Sequence, residues 1–342
     1  MIIMKFGGTS VGSAERIAAT ADIILSAKHP VVVVLSAMSG ATNSLLALSE
    51  GKGSQDSIIE RHTATAESLG LPKNICSKIH AIMDAASTPS EILACGELLS
   101  TTIMHSYLCS KGADAAWVPA LDFMSVGTDG EPDTKTIKRS AKTAIEKTGQ
   151  HDIYITQGFI CRDSSGAVST LSRGGSDYTA TLLGEALGAE SVQIWTDVDG
   201  VYTADPRRVQ TARRIPKMSY AQADTAARCG AKILHPDCIR PAERAAFPVQ
   251  VLDSFHPETE GTIIGNFNDD KGFVAIASLE SGNCSEVSII GHGDAMDDIK
   301  QRLSPLNIFN IVQNNGYVCA QVSTEEADKA MNLLHDAFIN IK

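Results

Sequence analysis

The segment MIIMKFGGTSVGSAERIAATADIILSAK, residues 1–28, combines an apolar run, a glycine turn and a stretch of helical period. The run Ile2–Phe6 lacks polar–apolar alternation, which is typical of a buried parallel strand. Residues Ala14–Lys28 carry apolar side chains at helical spacing. A strand that leads through a glycine turn into a helix is the repeating unit of layered α/β domains, so this segment predicts such a domain.

The same alternation continues along the chain. Strands of a mainly parallel sheet are predicted at Val31–Leu35, Ala115–Val118, Ile153–Thr156, Val192–Thr196 and Val249–Leu252. Helices are predicted between them at Glu91–Cys109, Thr134–Lys147, Asp177–Gly188 and Ser219–Ala231. Strands that alternate with helices in this way indicate an α/β fold.

A second, smaller domain is predicted at the end of the chain. Residues 253–270 are polar and contain proline, as in linkers and exposed loops. Beyond them, four strand-like and two helix-like stretches form a small α+β module. We place the domains at 1–265 and 271–342, and two domains agree with the length of 342 residues.

Composition narrows the class of protein. The net charge of −11 argues against a nucleic-acid partner, which normally requires a basic face. No apolar run is long enough to span a membrane, and a strand that begins at Ile2 leaves no room for a signal peptide. The eight cysteines are scattered without a C-x-x-C pair, so we expect reduced thiols, no protein-held metal and a cytoplasmic location.

The turn Lys5–Ser10 has the properties of an anion site. Gly7 and Gly8 let backbone N–H groups approach an anion, the following helix adds its dipole, and Lys5 adds a cation. It is not a Walker A loop, because Ser13 and Ala14 stand where Lys and Ser/Thr are required. A tight turn with a solvent-exposed lysine is the alternative.

A second turn of this kind spans Leu171–Asp177. Two glycines precede a helix start, Ser176 and Asp177 are available as helix caps, and Arg173 offers a planar fork for a carboxylate or a phosphate. A capped helix after a turn is the purely structural alternative. Two such turns in one α/β domain favour a phosphorylated ligand.

Two further segments are less specific. Residues 195–207 end a buried strand in polar groups that suit a nucleotide base or ribose, but also an ordinary acidic turn. In residues 230–236, His235 precedes a proline and is interpreted as a structural histidine rather than a base. The chain shows no serine-triad order, zinc helix or Rossmann fingerprint, so its residues predict a phosphate-handling α/β enzyme.

Taken together, six segments resemble the aspartate kinases (aspartokinases) of the amino-acid kinase superfamily, in family order over residues 1–265. The resemblance implies a three-layer α/β/α sandwich, the amino-acid kinase fold, with ATP and Mg²⁺ as cofactors. It implies phosphorylation of the side-chain carboxylate of L-aspartate to 4-phospho-L-aspartate, the first step of lysine, threonine and methionine biosynthesis. The segments are KFGGTSVG (5–12), LSAMSGATN (35–43), GELLS (96–100), RGGSDYT (173–179), WTDVDGVYTADPR (195–207) and GAKILHP (230–236).

The resemblance also implies roles for single residues. Lys5 would bind the transferring phosphoryl group, Glu97 the ammonium of aspartate, and Arg173 its α-carboxylate; Asp177 would orient the substrate amine. The catalytic set is thus Lys5, Arg173 and Asp177. The remaining substrate-binding residues would be Ser36, Thr42, Gly174, Gly175 and Ser176, and the nucleotide-binding residues Gly7, Gly8, Ser10, Thr196, Asp197, Tyr202, Arg207 and Lys232.

The C-terminal module resembles the final ACT module of the family, a ferredoxin-like fold, in SEVSIIGHG (285–293) and EEADKAMNLLHDAF (325–338). Regulated relatives usually carry two such modules, and only one is expected here. Feedback by lysine or threonine is therefore not implied, and the module would serve in a homodimer or higher homo-oligomer. Gln222, Thr225 and Cys229 depart from the family pattern and bear on nucleotide affinity.

Two alternatives stay open. One is a kinase of a related acceptor, such as glutamate 5-kinase or acetylglutamate kinase, although the RGGSD and GELLS motifs are not expected together there. The other is a non-catalytic amino-acid sensor on a kinase fold. A sensor need not keep Lys5, Glu97, Arg173, Asp177 and Lys232 as a set.

Overall fold

A computed structural model describes residues 1–171, 174–231, 234–268, 272–293 and 295–339. The chain forms two compact units, residues 1–198 with 247–259 and residues 199–246 with 260–342. The second unit joins part of the predicted kinase domain to the C-terminal module. The predicted boundaries, 1–265 and 271–342, stay a prediction.

The strands and helices are named in chain order. The strands are β1 (Ile2–Phe6), β2 (Val31–Leu35), β3 (Ala115–Trp117), β4 (Ile153–Gln157), β5 (Ile160–Arg162), β6 (Val168–Thr170), β7 (Ser191–Thr196), β8 (Lys217–Ser219), β9 (Val249–Asp253), β10 (Thr262–Gly265), β11 (Gly272–Ser281), β12 (Cys284–His292), β13 (Ile308–Asn314) and β14 (Tyr317–Ser323). The helices are α1 (Ala14–Ser26), α2 (Ala41–Ser49), α3 (Gln55–Ser68), α4 (Lys73–Ala85), α5 (Pro89–Ser110), α6 (Thr134–Thr148), α7 (Gly175–Leu187), α8 (Tyr220–Arg228), α9 (Ile239–Ala245), α10 (Met296–Leu303) and α11 (Ala327–Leu334).

The first unit is built on a parallel sheet in the order β3-β4-β2-β1-β7-β9. One face of β1 presents Met4 and Phe6 to a core shared with helices α1 to α5. Helix α7 contacts β1, β2 and β7, and α6 packs on α7. Because helices flank the sheet on both sides, the predicted three-layer α/β/α sandwich is confirmed.

The carboxyl ends of the central strands lie at one edge of this sheet, since the strands are parallel and in register. Lys5 pairs with Val34 of β2 and Ile194 of β7. Backbone hydrogen bonds continue past the strand ends, from Gly7 N–H to Trp195 O (3.0 Å) and from Ser36 N–H to Phe6 O (3.2 Å). The loops that follow β1 and β2 are therefore held side by side where ligands bind in α/β sheets.

The second unit contains the parallel pair β8 and β10 and an antiparallel sheet in the order β11-β12-β14-β13. Helices α10 and α11 cover one face of that sheet and enclose a core that includes Ile289, Ile299 and Leu334. This arrangement is the predicted small α+β module. No helix within the described ranges has the length and apolar character needed to cross a bilayer.

Candidate active site

A cavity of about 420 Å³ in the first unit gathers most residues of the predicted catalytic and substrate-binding sets. It lies at the carboxyl end of β1, beside the start of α7. Its lining consists of Lys5, Ser36, Thr42, Glu97, Phe159, Thr170, Leu171, Gly174, Gly175, Ser176 and Asp177. Arg173, predicted for the α-carboxylate, lies outside the described residues.

Lys5 and Asp177 form an ion pair on the wall of the cavity. Lys5 Nζ lies 2.6 Å from Asp177 Oδ1, and the whole Lys5 residue is 8% exposed. At that distance the ammonium and the carboxylate are in direct contact. An ammonium carries three N–H donors, so Lys5 can hold Asp177 and still face an anion in the cavity.

The start of α7 is shaped by glycines. Gly174 adopts a left-handed conformation with φ +74°, which favours glycine. A Cβ on Gly175 would lie 2.6 Å from Cδ2 of Phe159, so a larger residue would not fit there. The first turn of α7, whose N–H groups have no partners within the helix, thus faces the cavity with a partial positive charge suited to an anion.

The GELLS segment lies within α5 and packs against the loop after β2. A Cβ on Gly96 would lie 2.6 Å from Cβ of Ala37, so glycine allows the close approach of helix and loop. Glu97 Oε1 then accepts a 3.0 Å hydrogen bond from Ala37 N–H, and Ser100 Oγ donates to Ser36 O at 2.8 Å. The motif therefore fixes both the loop that carries Ser36 and the carboxyl of Glu97.

Glu97 is the most strongly perturbed carboxyl group of the cavity lining. It is 4% exposed, and its burial raises the pKa to about 8; the Ala37 N–H, the Glu97 backbone and the Lys5 charge act in the opposite direction. Burial disfavours the ionised form because the charge loses its hydration. A cation that entered the cavity would supply the missing compensation.

The glycine turn after β1 is packed against its neighbour loop. A Cβ on Gly8 would lie 2.8 Å from Ala37 O, and Ser39 N–H donates to Gly8 O at 3.0 Å. Gly8 is thus required for contact between the two loops, independently of its predicted role in binding a phosphate. Gly7 has more space: the nearest atoms to a Cβ there are Lys5 Nζ and Trp195 O, both at 3.6 Å.

Ser10 lies in the interior rather than at the cavity. It is fully buried, its Oγ is 2.7 Å from Ser254 Oγ, and its carbonyl accepts from Thr20 Oγ1 at 2.6 Å. Arg16 Nη2 donates to Ser254 O at 2.6 Å and extends this network. The Ser10 hydroxyl would have to break its bond to Ser254 in order to donate to a phosphate. The phosphate-binding role of Ser10 therefore stays a prediction, and the buried position of Ser10 does not favour it.

The residues predicted for the nucleotide fall into both units. In the first unit, Thr196 is the last residue of β7, and its hydroxyl donates to Asp197 Oδ1 at 3.2 Å. In the second unit, Tyr202 donates to Asp199 Oδ1 at 2.8 Å, and this bond raises the pKa of Tyr202. Arg207 makes a two-pronged contact with Asp205 and is largely exposed, and Lys232 lies outside the described residues.

Sequence reasoning missed three cavity residues, of which Phe159 is the most informative. Phe159 has φ +66°, a conformation rare outside glycine, and its N–H donates to Thr179 Oγ1 at 3.1 Å. A Cβ on the preceding Gly158 would lie 2.4 Å from Cβ of Ser176. A glycine directly after a buried strand was the available signal. The other two missed residues are Thr170 and Leu171.

A protein-held metal cluster is not found in the ranges that the structure describes: no three His, Cys, Asp or Glu side chains are grouped to bind an ion. Mg²⁺ in nucleotide enzymes is usually held by phosphates, waters and one or two carboxylates. Asp177 beside Lys5 fits a metal of that kind, carried by a nucleotide.

Comparison with known proteins identifies the family. Residues 1–253 match the Amino acid kinase family. The chain is 33% identical to lysine-sensitive aspartokinase 3 of Escherichia coli, over 97% of this chain and 78% of the relative. It is 36% identical to chloroplastic aspartokinase 1 of Arabidopsis thaliana, over 78% of this chain and 52% of the relative, so it spans about half the length of the plant protein.

A solved structure agrees with these relatives. The crystal structure of E. coli aspartokinase III in complex with aspartate and ADP superposes with a TM-score of 0.84 at 28% identity, over 98% of this chain and 99% of the other. The fold and the resemblance predicted from the six motifs are thereby confirmed. The chain belongs to the amino acid kinase family and, within it, to the aspartokinases.

Proposed function

We propose that this protein is an aspartate kinase, which transfers the γ-phosphate of ATP to the side-chain carboxylate of L-aspartate. The product is 4-phospho-L-aspartate, and the reaction is the first step of lysine, threonine and methionine biosynthesis. The observation that carries the proposal is the single cavity lined by Lys5, Glu97, Asp177 and the start of α7. The crystal complex of the E. coli relative with aspartate and ADP supports it.

The cavity suits a small zwitterion. The buried carboxyl of Glu97 is assigned to the ammonium of aspartate, because an ammonium offsets the cost of ionising Glu97. The α-carboxylate is assigned to Arg173 and to the first turn of α7, through Gly174, Gly175 and Ser176. Ser36 and Thr42 complete the wall and approach the substrate.

The chemistry needs positioning and charge stabilisation more than acid–base catalysis. The side-chain carboxylate of aspartate is ionised at neutral pH and is itself the nucleophile. One carboxylate oxygen forms the new P–O bond as the bond from the γ-phosphorus to the bridging oxygen breaks, and ADP leaves with that electron pair. Lys5 would stabilise the charge on the transferring group, and Asp177 would keep the Lys5 ammonium in place.

The nucleotide is assigned to residues that match the family motifs, and ADP in the relative's crystal supports ATP as the donor. These residues are Lys5, Gly7, Gly8, Thr196, Asp197, Tyr202, Arg207 and Lys232; Ser10 is left out because its buried hydroxyl bonds to Ser254. Mg²⁺ would enter with the phosphates and neutralise part of their charge. This role fits the absence of a three-ligand cluster among the described residues.

Three further features belong to the proposal. A cytoplasmic location fits an ATP-dependent enzyme whose cysteines are free thiols. A homodimer or higher homo-oligomer is expected from the ACT-like module. The kinase domain is assigned to residues 1–265 and that module to 271–342.

The test is an ADP-release assay with four conditions: L-aspartate, L-glutamate, N-acetyl-L-glutamate and no acceptor. We expect turnover with aspartate alone above the rate without acceptor. A preference for glutamate or acetylglutamate would instead indicate a related kinase. Aspartate binding without ADP release at saturating Mg·ATP would indicate a sensor.

A further inference from the structure

The residues Tyr202 and Arg207 lie on a loop, Val201–Ile215, whose two ends are joined by hydrogen bonds. Ile215 N–H donates to Val201 O at 2.7 Å, and Thr203 N–H donates to Arg213 O at 2.9 Å. We call residues 201–215 the nucleotide loop, which rests on the assignment of Tyr202 and Arg207 in the proposed function. The conformation of this loop decides where both side chains stand.

The nucleotide loop shares a hydrophobic core with the C-terminal module. Ala204 and Val209 are buried in the same cluster as Met331 and Leu334 of α11. The module's backbone also contacts the loop directly, because Ile276 N–H donates to Thr203 O at 2.7 Å. The loop is thus packed as part of the module that the sequence placed in a separate, regulatory domain.

His335, at the end of α11, bridges the two halves of the loop. Its Nε2 is 2.8 Å from Thr203 Oγ1 and its Nδ1 is 3.1 Å from Thr211 Oγ1, and the residue is fully buried. Thr203 is the neighbour of Tyr202 in the chain. One side chain of the last helix therefore holds the loop on both sides of Arg207.

The hydrogen-bond network assigns one arrangement of protons. Thr203 Oγ1 already accepts from Arg213 N–H at 3.0 Å, so its own proton is available to His335 Nε2. Nδ1 then carries the ring proton and donates to Thr211. Burial lowers the pKa of His335, Arg213 lowers it further, and Asp336 acts in the opposite direction. The neutral ring is the form that this network requires.

Two other contacts run along the same helix. Asn332 Nδ2 donates to Arg208 O at 3.0 Å, and Arg213 Nη2 donates to Ile339 O at 2.7 Å. The first holds the backbone of the loop on α11, and the second ties the Arg213 side chain of the loop to the turn that follows α11. The loop cannot change its conformation without breaking contacts to α11 and the turn that follows it.

We propose that His335 is a positioning residue for the nucleotide site, which holds the nucleotide loop in its ATP-binding conformation through Thr203 and Thr211. Loss of His335 leaves the buried Thr203 hydroxyl without its acceptor and breaks the contact with Thr211, which lies at the surface, and the loop then samples other conformations. Apparent nucleotide affinity falls in proportion to the fraction of molecules with the competent loop. Aspartate affinity is unaffected, since its cavity is lined by residues of the first unit.

The test compares His335→Leu, which removes both hydrogen bonds at similar volume, with His335→Gln, which keeps an amide donor and a carbonyl acceptor. Thr211→Val is a milder variant that removes one of the two bonds. The matched control is His62→Leu, because His62 is also fully buried but its Nδ1 bonds only to Ile58 O of its own helix. The measurements are KM for ATP and for aspartate, ADP affinity by calorimetry, and Tm.

We expect His335→Leu to raise KM for ATP and Kd for ADP about 10-fold, Thr211→Val to raise them about 3-fold, and His335→Gln to recover part of the loss. KM for aspartate should stay within about twofold. His62→Leu should lower Tm without a change in KM for ATP. If His335→Leu does not fold, the KM for ATP and the Kd for ADP of Thr211→Val test the proposal.

Two results would overturn the proposal. One is an unchanged nucleotide affinity in Thr211→Val and in folded His335→Leu; the other is an equal rise in both KM values. Arg207→Ala separates this failure from that of the proposed function. If Arg207→Ala also leaves ADP affinity unchanged, the assignment of the nucleotide loop itself is wrong. If Arg207→Ala weakens ADP binding, the loop assignment holds and only the role proposed for His335 is wrong.

Discussion

Lys5 Nζ lies 2.6 Å from Asp177 Oδ1, so that the end of β1 is tied to the first turn of α7. Both side chains are mostly buried, with 10% and 18% of their surface exposed. The pair therefore serves the fold and the proposed reaction together. It aims the Lys5 ammonium into the cavity, and its loss leaves Asp177 uncompensated.

Lys5→Ala is expected to lower kcat about 100- to 1,000-fold, because removal of one preorganised charge from a phosphoryl-transfer site has effects of that size. It should also lower the free energy of unfolding by about 2 kcal/mol, since one partner of a mostly buried ion pair is lost. Steady-state kinetics and urea unfolding measure the two effects. A near-wild-type kcat would exclude Lys5 from catalysis.

Asp177→Asn is the matched control for that variant. It keeps the shape of the side chain and leaves Lys5 free in the cavity. We expect a smaller loss of kcat than for Lys5→Ala. An equal or larger loss would give Asp177 a direct part in the reaction, as a metal or substrate ligand, beyond holding Lys5.

Aspartate binding at pH 7 should release a proton. The pKa of Glu97 is raised to about 8 by burial, so the group is mostly protonated in the free enzyme, and the substrate ammonium would favour its ionised form. Calorimetry in buffers of different ionisation enthalpy counts the protons. We expect close to one per site in the wild type and far fewer in Glu97→Gln, together with a rise of roughly 100-fold in KM for aspartate.

The same group predicts how stability depends on pH. The folded pKa of about 8 lies above the unfolded value near 4.5, so the folded state binds the proton more tightly. The resulting stabilisation is complete below the unfolded pKa and is lost as pH rises to the folded pKa. Glu97→Gln removes this dependence. Its free energy of unfolding, relative to wild type, should therefore rise between about pH 5 and pH 8, and a flat difference would refute the raised pKa.

The sequence predicted the layered fold because strand and helix periods are local signals. It also predicted the cavity residues Lys5 and Asp177, since both stand at a junction of strand, turn and helix. Glu97, inside α5, was predicted only because GELLS resembles the aspartate kinase motif. Their meeting in one cavity follows from the parallel sheet. What local pattern cannot supply is long-range partnership. Ser10 was assigned to phosphate, yet its hydroxyl meets Ser254, 244 residues further along the chain.

The second limit of local pattern concerns shared cores. Ala204 and Val209 are small apolar residues inside an acidic turn, and nothing near them indicates that they pack with α11. His335 in turn belongs to an amphipathic helix, where a buried histidine has no distinctive spacing. Only the folded chain joins the nucleotide loop to the C-terminal module. For Phe159 the one local signal was the preceding Gly158, because the residue type of Phe159 itself does not reveal its positive φ.

Gly96→Ala tests whether the close approach of α5 to the Ala37 loop shapes the cavity. Alanine is normally the better helix former by about 1 kcal/mol, so a neutral site would gain stability. Here the new Cβ would meet Cβ of Ala37 at 2.6 Å, and we expect a net loss of about 1–3 kcal/mol in the free energy of unfolding. KM for aspartate should rise as well, because Glu97 and Ser36 shift with the loop.

Ser106→Ala is the control on the same helix. The Ser106 hydroxyl donates only to Thr102 O within α5, at 2.7 Å, so its removal leaves the cavity unchanged. Stability and KM for aspartate should remain near wild type. If Gly96→Ala behaves in the same way, the contact with Ala37 has no role in shaping the site.

Chelation should separate catalysis from stability. Within the described ranges no three potential ligands are grouped for a metal ion, and a nucleotide-borne Mg²⁺ needs only phosphates, waters and one or two carboxylates. We therefore expect excess EDTA to abolish ADP release with aspartate and ATP, and added Mg²⁺ to restore it. The Tm of the nucleotide-free protein should not change with EDTA, whereas ADP should raise Tm more with Mg²⁺ than without it. A fall in Tm of the nucleotide-free protein on chelation would show a metal held by the protein itself, and the assignment of Mg²⁺ to the nucleotide would then be wrong.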